Sequence, residues 1–84
     1  MKPREISWTP RFRADVAAIP RNAALQLLKD MAEFAKTGAG DVRKLANDPE
    51  DRRRLRSGGY RALFVIQKDG SLTLTSAEHR KDAY

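Results

Sequence analysis

The fold is decided by residues 52–67, which read RRRLRSGGYRALFVIQ. The basic start of this stretch is followed by Ser57-Gly58-Gly59, a triplet typical of a tight turn. The run from Tyr60 to Gln67 is the richest of the chain in β-branched and aromatic residues, which favours a strand. It is apolar on both faces except at Arg61, so we predict that it is the central strand of a sheet.

Further strands are predicted on both sides of this hairpin. Residues 68–71 read KDGS, a second hairpin signal, and residues 72–77 alternate as an outer strand would. Polar and apolar residues also alternate from Glu5 to Trp8. We therefore predict a three-stranded meander together with an N-terminal strand.

Two helices are predicted between the N-terminal strand and the meander. The first begins at Thr9-Pro10, an N-cap followed by a first helical proline, and ends at Pro20. Its apolar stripe consists of Phe12, Val16 and Ile19. The second helix continues to about Lys36, where Gly38 is placed to end it. The two form an antiparallel helical hairpin.

Residues 37–51 are rich in residues that favour turns, so we predict a connecting loop with one apolar anchor at Val42 and Leu45. The sequence thus predicts an α+β fold in which the helical hairpin packs on one face of a small, mainly antiparallel four-stranded sheet. The chain has 84 residues. A chain of this length can bury only one small core, so we predict a single domain that comprises residues 1–84.

The composition limits the possible partners and sites. Seventeen Lys and Arg against eleven Asp and Glu give a net charge of +6, which favours nucleic acid or an acidic protein as the partner. A basic surface kept only for solubility is the alternative. Cysteine is absent and there is one histidine, so we expect no metal site and no cofactor. No signal segment or long apolar run is visible, so we expect a cytoplasmic protein that does not contact a membrane.

The basic strand is the densest chemical signal. Side chains two residues apart share a face of a strand, so Arg52, Arg54 and Arg56 line up and can hold successive phosphates. Arg61 follows the turn and joins the same face if the register allows it. The alternative is a solvated edge strand that charge protects from aggregation.

The C-terminal residues 78–84, EHRKDAY, contain the only histidine and one of the two tyrosines. RNA is cleaved without metal when its 2′-hydroxyl attacks the adjacent phosphorus, provided that the protein supplies a proton acceptor, a proton donor and positive charge. The groups available for these roles are His79, Tyr84, Arg80 and Arg61. A surface histidine at a strand end and an unconstrained terminal tyrosine are the structural alternatives.

These blocks resemble a known family of toxins. Lys44-Leu45, then residues 54–61 (RLRSGGYR), then residues 79–84 (HRKDAY) are similar in order and spacing to the conserved blocks of RelE-type toxins of the RelE/ParE superfamily. The resemblance covers nearly the whole chain, and the Gly-Tyr-Arg block is its most specific part.

The resemblance implies the toxin of a type II toxin-antitoxin system. The RelE type in particular implies a ribosome-dependent mRNA endonuclease that works by metal-independent 2′-OH transesterification and leaves a cyclic phosphate. Arg61 then resembles the arginine that stabilises the transition state, and Arg80 and Tyr84 resemble the terminal arginine and tyrosine. His79 completes the catalytic candidates, and the RNA-binding candidates are Lys44, Arg52, Arg54 and Arg56. The implied partners are the ribosome with its mRNA and a cognate antitoxin, which forms a hetero-oligomer with the toxin and binds operator DNA.

The chain departs from the ribonuclease pattern at several positions. Ala46 stands where several relatives have a phosphate-binding arginine. Two alternatives follow: Arg43 takes over the role of that arginine, or the role is lost. Relatives often carry lysine where Arg52 and Arg54 stand, and arginine is a poorer general base than lysine, which makes His79 a candidate base. Glu78 replaces a common glycine and opposes phosphate binding unless it pairs with Arg80 or Arg61.

Three other functions fit the same residues less fully. The ParE branch of the superfamily poisons DNA gyrase without nuclease chemistry, and it typically lacks the set of Arg61, Arg80 and Tyr84. A basic nucleic-acid-binding module without catalysis has few stacking surfaces here, because Tyr60 and Phe64 are expected to face the core. The third alternative is a toxin that keeps its fold and antitoxin but has lost its activity, since Ala46 stands where relatives have an arginine.

Overall fold

The computed structural model describes residues 3–79. They form five strands and two helices, in the order β1 (Ile6–Trp8), α1 (Pro10–Ala17), α2 (Arg21–Thr37), β2 (Asp41–Lys44), β3 (Arg53–Ser57), β4 (Tyr60–Ile66) and β5 (Leu72–His79). The strands make one sheet in the spatial order β1-β5-β4-β3-β2. β1 is parallel to β5 and the other pairs are antiparallel. The predicted α+β class, the mainly antiparallel sheet and the central position of β4 are confirmed.

The sheet has five strands and not the predicted four, because residues 37–51 are not only a connecting loop. Asp41–Lys44 pairs with β3 as an edge strand, and Val42 packs against the core. An edge strand of four residues needs only one buried side chain, so its sequence carries no clear alternation. Gly40 precedes it with a φ of 145°, and a Cβ there would lie 3.4 Å from Cδ1 of Leu55.

The last strand is internal and not the predicted outer strand. β1 pairs with the first residues of β5, on the side of β5 away from β4. Ile6 lies opposite Leu72 and Trp8 lies opposite Leu74. This pairing joins segments more than sixty residues apart in the sequence, so a local pattern of alternation does not reveal it.

A β-bulge interrupts β5. Leu74 lies opposite Phe64 of β4, whereas Ser76 lies opposite the adjacent Leu63, so that Thr75 is one extra residue in β5. A bulge of this kind shifts the alternation of the side chains that follow it to the opposite face.

The start of α1 and the end of α2 are capped by the residues that the sequence indicates. The Thr9 hydroxyl caps α1 by accepting from the backbone N–H of Phe12 at 3.1 Å, and it donates to the carbonyl oxygen of Leu74 at 2.9 Å. Gly38, with φ 80°, ends α2 and donates to the carbonyl of Phe34. A left-handed C-cap favours glycine because it has no Cβ.

The core lies between the helices and one face of the sheet. Its largest fully buried side chains are Phe12, Leu27, Met31, Leu55, Phe64, Leu72 and Leu74. The helices cover the face to which Leu55, Phe64 and Leu72 belong, so the other face of the sheet is left for surface chemistry. No helix within residues 3–79 is long and apolar enough to cross a membrane.

Candidate nucleic-acid interface

The face of the sheet opposite the helices carries a cluster of arginines. Arg56 of β3 lies directly opposite Arg61 of β4, and Arg54 is two residues from Arg56 on the same strand. Leu55 and Ala62, which are also cross-strand partners, belong to the core. Because cross-strand partners share a face and neighbours in a strand alternate, the three arginines point away from the helices.

Two more arginines extend this cluster. Arg43 of β2 lies opposite Arg54, and Arg52 lies one residue before β3, in step with the alternation of Arg54 and Arg56. We call this surface the arginine face; it consists of Arg43, Arg52, Arg54, Arg56 and Arg61. Alternation in the sequence gives three of its members, and the register of the sheet adds Arg43 and Arg61.

Arg61 is held by a carboxylate from the last strand. Glu78 of β5 is its direct cross-strand partner. Nε of Arg61 donates to Oε1 of Glu78 at 2.7 Å, and Nη2 lies 2.6 Å from the same oxygen. The side chains are 22% and 29% exposed, so water screens this pair less than a fully exposed one. Of the two partners that the sequence allows for Glu78, the structure shows Arg61.

The first helix holds the end of β5 in place. β1 pairs with β5 only as far as Leu74, so the backbone beyond that point needs another partner. Asp15 of α1 provides one, because its Oδ2 accepts from the backbone N–H of Ala77 at 2.9 Å. The residue after Ala77 is Glu78, so this bond fixes the backbone next to the ion pair with Arg61.

Two other members of the arginine face also contact carboxylates. Nη1 of Arg54 donates to the carbonyl oxygen of Asp41 at 3.2 Å and lies 3.4 Å from its Oδ1. Arg52 binds Asp48 with its side chain and its backbone N–H, at 2.8 Å in each case. These hydrogen bonds, the side-chain one first, hold the pKa of Asp48 below its ordinary value. The pKa of Arg52 is raised, mainly by the hydrogen bond to Asp48 and less by the nearby charge of Glu78.

Arg43 and Arg56 are exposed. Neither forms an ion pair with any other residue of the described range 3–79. The arginine face therefore contains three cations that hold carboxylates and two that are open to an incoming anion.

The bulge at Thr75 places His79 on the side of the sheet that the helices cover. Its ring packs edge-on against Tyr60, with 4.8 Å between the ring centroids. A Cβ on Gly59 would lie 3.2 Å from Nε2 of His79, so this residue of the β3–β4 turn also lies against the ring. The structure therefore separates the side chain of His79 from Arg61, although the two residues are on adjacent strands.

A comparison with families of known proteins identifies the chain. Residues 6–84 match the family described as ParE toxin of type II toxin-antitoxin system, parDE. The chain belongs to this family. A search of curated proteins gave no match.

Solved structures share the fold of this ParE-family toxin. A chain of the RelB-RelE antitoxin-toxin complex from Methanococcus jannaschii is 18% identical, with a TM-score of 0.74 over 92% of this chain and 93% of that one. The RelE-RelB complex from Pyrococcus horikoshii OT3 gives 18% identity and a TM-score of 0.75, over 94% of this chain and 97% of that one. The RelBE2 complex from Mycobacterium tuberculosis gives 19% identity and a TM-score of 0.75, over 94% and 100%.

The remaining predicted site residues of the toxin are Lys44, Arg80 and Tyr84. Lys44 is on the opposite face of β2 from Arg43, and its Nζ lies 3.4 Å from Oδ1 of Asp51. Arg80 and Tyr84, predicted as catalytic residues, lie outside the described residues. Within residues 3–79, no three histidine, cysteine or acidic side chains are grouped so that they could hold a metal ion.

Sequence reasoning missed the carboxylates of Asp41 and Asp48. Asp48 lies four residues before Arg52, a separation that brings side chains together on a helix, but here it spans a loop. Asn47 and Asp51, both with positive φ, bend this loop so that Asp48 meets Arg52. No pattern in the sequence indicates that geometry.

Proposed function

We propose that this toxin is a ribosome-dependent mRNA endonuclease. The observation that supports it most is the position of Arg61 beside Arg54 and Arg56 on the open face of the sheet. Side chains on a paired central strand are held more firmly than those on loops, which suits a group that must meet a developing charge. The ribosome as target would place the activity in the cytoplasm.

The proposed reaction is a transesterification. The 2′-hydroxyl of the nucleotide before the scissile bond attacks phosphorus and loses its proton, a pentacoordinate phosphorane forms, and the bond to the 5′-oxygen of the next nucleotide breaks. The products are a 2′,3′-cyclic phosphate and a 5′-hydroxyl, which takes up a proton. Arg61 stabilises the added negative charge, because its planar fork donates two hydrogen bonds and stays charged at any working pH.

The other RNA contacts follow from the arginine face. Arg56 is exposed and suits a phosphate, whereas Arg54, two residues before it on β3, has a side chain only 11% exposed and would have to leave Asp41 to bind one. Arg43 is available to replace the arginine that relatives carry where Ala46 stands. Arg52 is the remaining RNA-binding candidate on this face. Lys44 is a weaker candidate, since it lies on the other face of β2.

We assign the proton transfers to the C-terminal residues 79–84. By the resemblance, Arg80 and Tyr84 would lie at the scissile phosphate. The described position of His79 does not favour it as the base, because its ring packs on Tyr60 on the side of the sheet that the helices cover. We instead expect His79 to support the end of β5, so that replacing it weakens folding more than it changes the pH dependence of cleavage.

The proposed partner is a cognate antitoxin. The solved structures with this fold are complexes of RelE with RelB, and the net charge of +6 suits an acidic or amphipathic segment. We propose a hetero-oligomer of toxin and antitoxin that binds operator DNA through the antitoxin.

A second candidate is a gyrase poison without nuclease activity. The family that matches the chain is named for ParE, and three arginines of the arginine face already hold carboxylates. A surface of paired charges also suits a protein partner, which would meet these pairs without cleaving a phosphodiester.

One experiment separates the two functions. Purified toxin is incubated with programmed ribosomes and the mRNA ends are mapped by primer extension, in parallel with a gyrase supercoiling assay. The variants are Arg61→Gln and a deletion of Tyr84, with Arg13→Gln as the control, since Arg13 is an exposed arginine on α1. Cleavage in the decoding site that Arg13→Gln keeps and the other two lose supports the nuclease. Intact mRNA together with inhibited supercoiling supports the gyrase poison.

A further inference from the structure

Glu78 uses the hydrogen-bond donors that a phosphate would need. Its Oε1 accepts from Nε of Arg61 and lies 2.6 Å from Nη2, so one oxygen occupies one whole edge of the guanidinium. A phosphate that binds through two parallel hydrogen bonds uses the same kind of edge. Glu78 and a phosphate on that edge of Arg61 are therefore alternatives.

This pair differs from the others on the arginine face. The contact between Arg54 and Asp41 is longer, 3.4 Å, and the Asp41 side chain is 51% exposed. Asp48 holds Arg52 within a single loop, across four residues. The pair of Arg61 with Glu78 joins two adjacent strands, is short, and is more than two-thirds buried on both sides.

A neighbouring cation offers an incoming phosphate its first contact. Arg56 lies opposite Arg61 on the side away from Glu78. It is exposed and, within residues 3–79, has no carboxylate partner. A polyanion can therefore bind Arg56 before it competes for Arg61.

We propose that Glu78 is a specificity-determining residue that masks Arg61 until a firmly held phosphate displaces it. The inference rests on the proposed function, because it requires Arg61 to contact RNA. Loosely held RNA binds Arg56 and its neighbours but leaves the ion pair intact. RNA whose backbone is fixed against the arginine face places a second phosphate at Arg61 and opens the pair. Glu78 thus favours RNA held in a fixed conformation over free RNA strands.

The test measures RNA binding apart from cleavage. The probe is a fluorescein-labelled single-stranded RNA with 2′-O-methyl groups, which lacks the attacking hydroxyl, and the readout is anisotropy at several salt concentrations. Glu78→Gln keeps the size of the side chain and removes its charge. The matched control is Glu5→Gln, since Glu5 is exposed, lies beside the edge strand β1 and forms no ion pair within residues 3–79.

Glu78→Gln is expected to bind the probe about tenfold more tightly than wild type, the effect of one added charge-assisted contact. The slope of log affinity against log salt should steepen by about 0.7, the value for one further phosphate on a single strand. Glu5→Gln should change both quantities much less. Equal behaviour of the two variants overturns the proposal.

A double-mutant cycle with Arg61→Gln shows whether the effect passes through Arg61. Most of the gain from Glu78→Gln should vanish when Arg61 is absent; a gain that is fully additive would mean a general effect of charge and would overturn the masking of Arg61. If Glu78→Gln does not fold, Glu78→Asp serves instead, because the shorter side chain reaches Nε and Nη2 of Arg61 less well and should give an intermediate affinity. Affinity no higher than that of wild type then counts against the proposal.

The outcomes for masking and for the nuclease are separable. If neither wild type nor any variant cleaves mRNA on ribosomes but the cycle shows coupling between Glu78 and Arg61, the masking proposal stands and the nuclease proposal fails. If wild type cleaves mRNA and Glu78→Gln binds no more tightly than Glu5→Gln, the nuclease stands and the masking fails.

Discussion

Replacing Arg61 by alanine should destabilise the fold as well as remove the proposed activity. Exposed surface residues usually change stability by less than about 0.5 kcal/mol, but Arg61 is only 22% exposed and binds Glu78, which is 29% exposed. Without Arg61, the partly buried carboxylate keeps its desolvation cost and loses its partner, a penalty of about 1–3 kcal/mol for a buried polar group. The remaining exposure places this variant in the lower part of that range, at about 1–2 kcal/mol.

Thermal unfolding followed by circular dichroism measures this effect. For a domain of this size, 1 kcal/mol corresponds to about 4–8 °C, so Tm should fall by roughly 5–15 °C. The double variant Arg61→Ala with Glu78→Ala removes both charges and should recover half or more of the loss, while it stays inactive in the ribosome assay. A single variant as stable as wild type, or a double variant no more stable than the single one, would falsify the claim that Glu78 depends on Arg61.

Three further predictions test the fold and its ionisation. Phe64→Ala removes a fully buried ring that packs 5.5 Å from Phe34 and should cost about 3–5 kcal/mol in urea unfolding; a cost below about 1.5 kcal/mol contradicts the central role of β4. Asp48→Asn should lower Tm most at neutral pH and less as the pH falls below about 4, because a carboxyl with a lowered folded pKa adds stability only while it is ionised; a difference in Tm that is constant with pH contradicts it. Thr9→Ala should cost about 1–2 kcal/mol through the lost N-cap of α1, and Thr9→Ser should keep most of that stability if the hydroxyl is responsible.

The parts of the fold that local chemistry determines were predictable. The run from Tyr60 to Ile66 is apolar on both faces and became the central strand, and Thr9 and Gly38 bound the helices as predicted. β2 was not predictable, because a short edge strand with only Val42 packed on the core has the composition of a loop. The internal position of β5 depends on its pairing with β1, which no local pattern contains.

The candidate site was predictable to the same extent. Alternation along β3 aligns Arg54 with Arg56, and the tight turn brings Arg61 opposite Arg56. The position of His79 could not be predicted, since it depends on one extra residue in β5 that the alternating sequence does not reveal. The contact between Asp48 and Arg52 depends on loop backbone angles, which sequence reasoning did not supply.

The bulge in β5 sets which side chain of this strand meets Arg61. If Thr75 paired with Leu63, the regular register would place Ala77 opposite Arg61 and would turn Glu78 toward the helices. Because Thr75 is left without a partner, Ser76 takes that position and Glu78 lies opposite Arg61. Deleting Thr75 should therefore remove the bulge and keep Glu78 beside Arg61, whereas inserting one residue after Ser76 should place Ala77 opposite Arg61. Relatives of this toxin with one more residue at that point should lack the carboxylate beside the arginine.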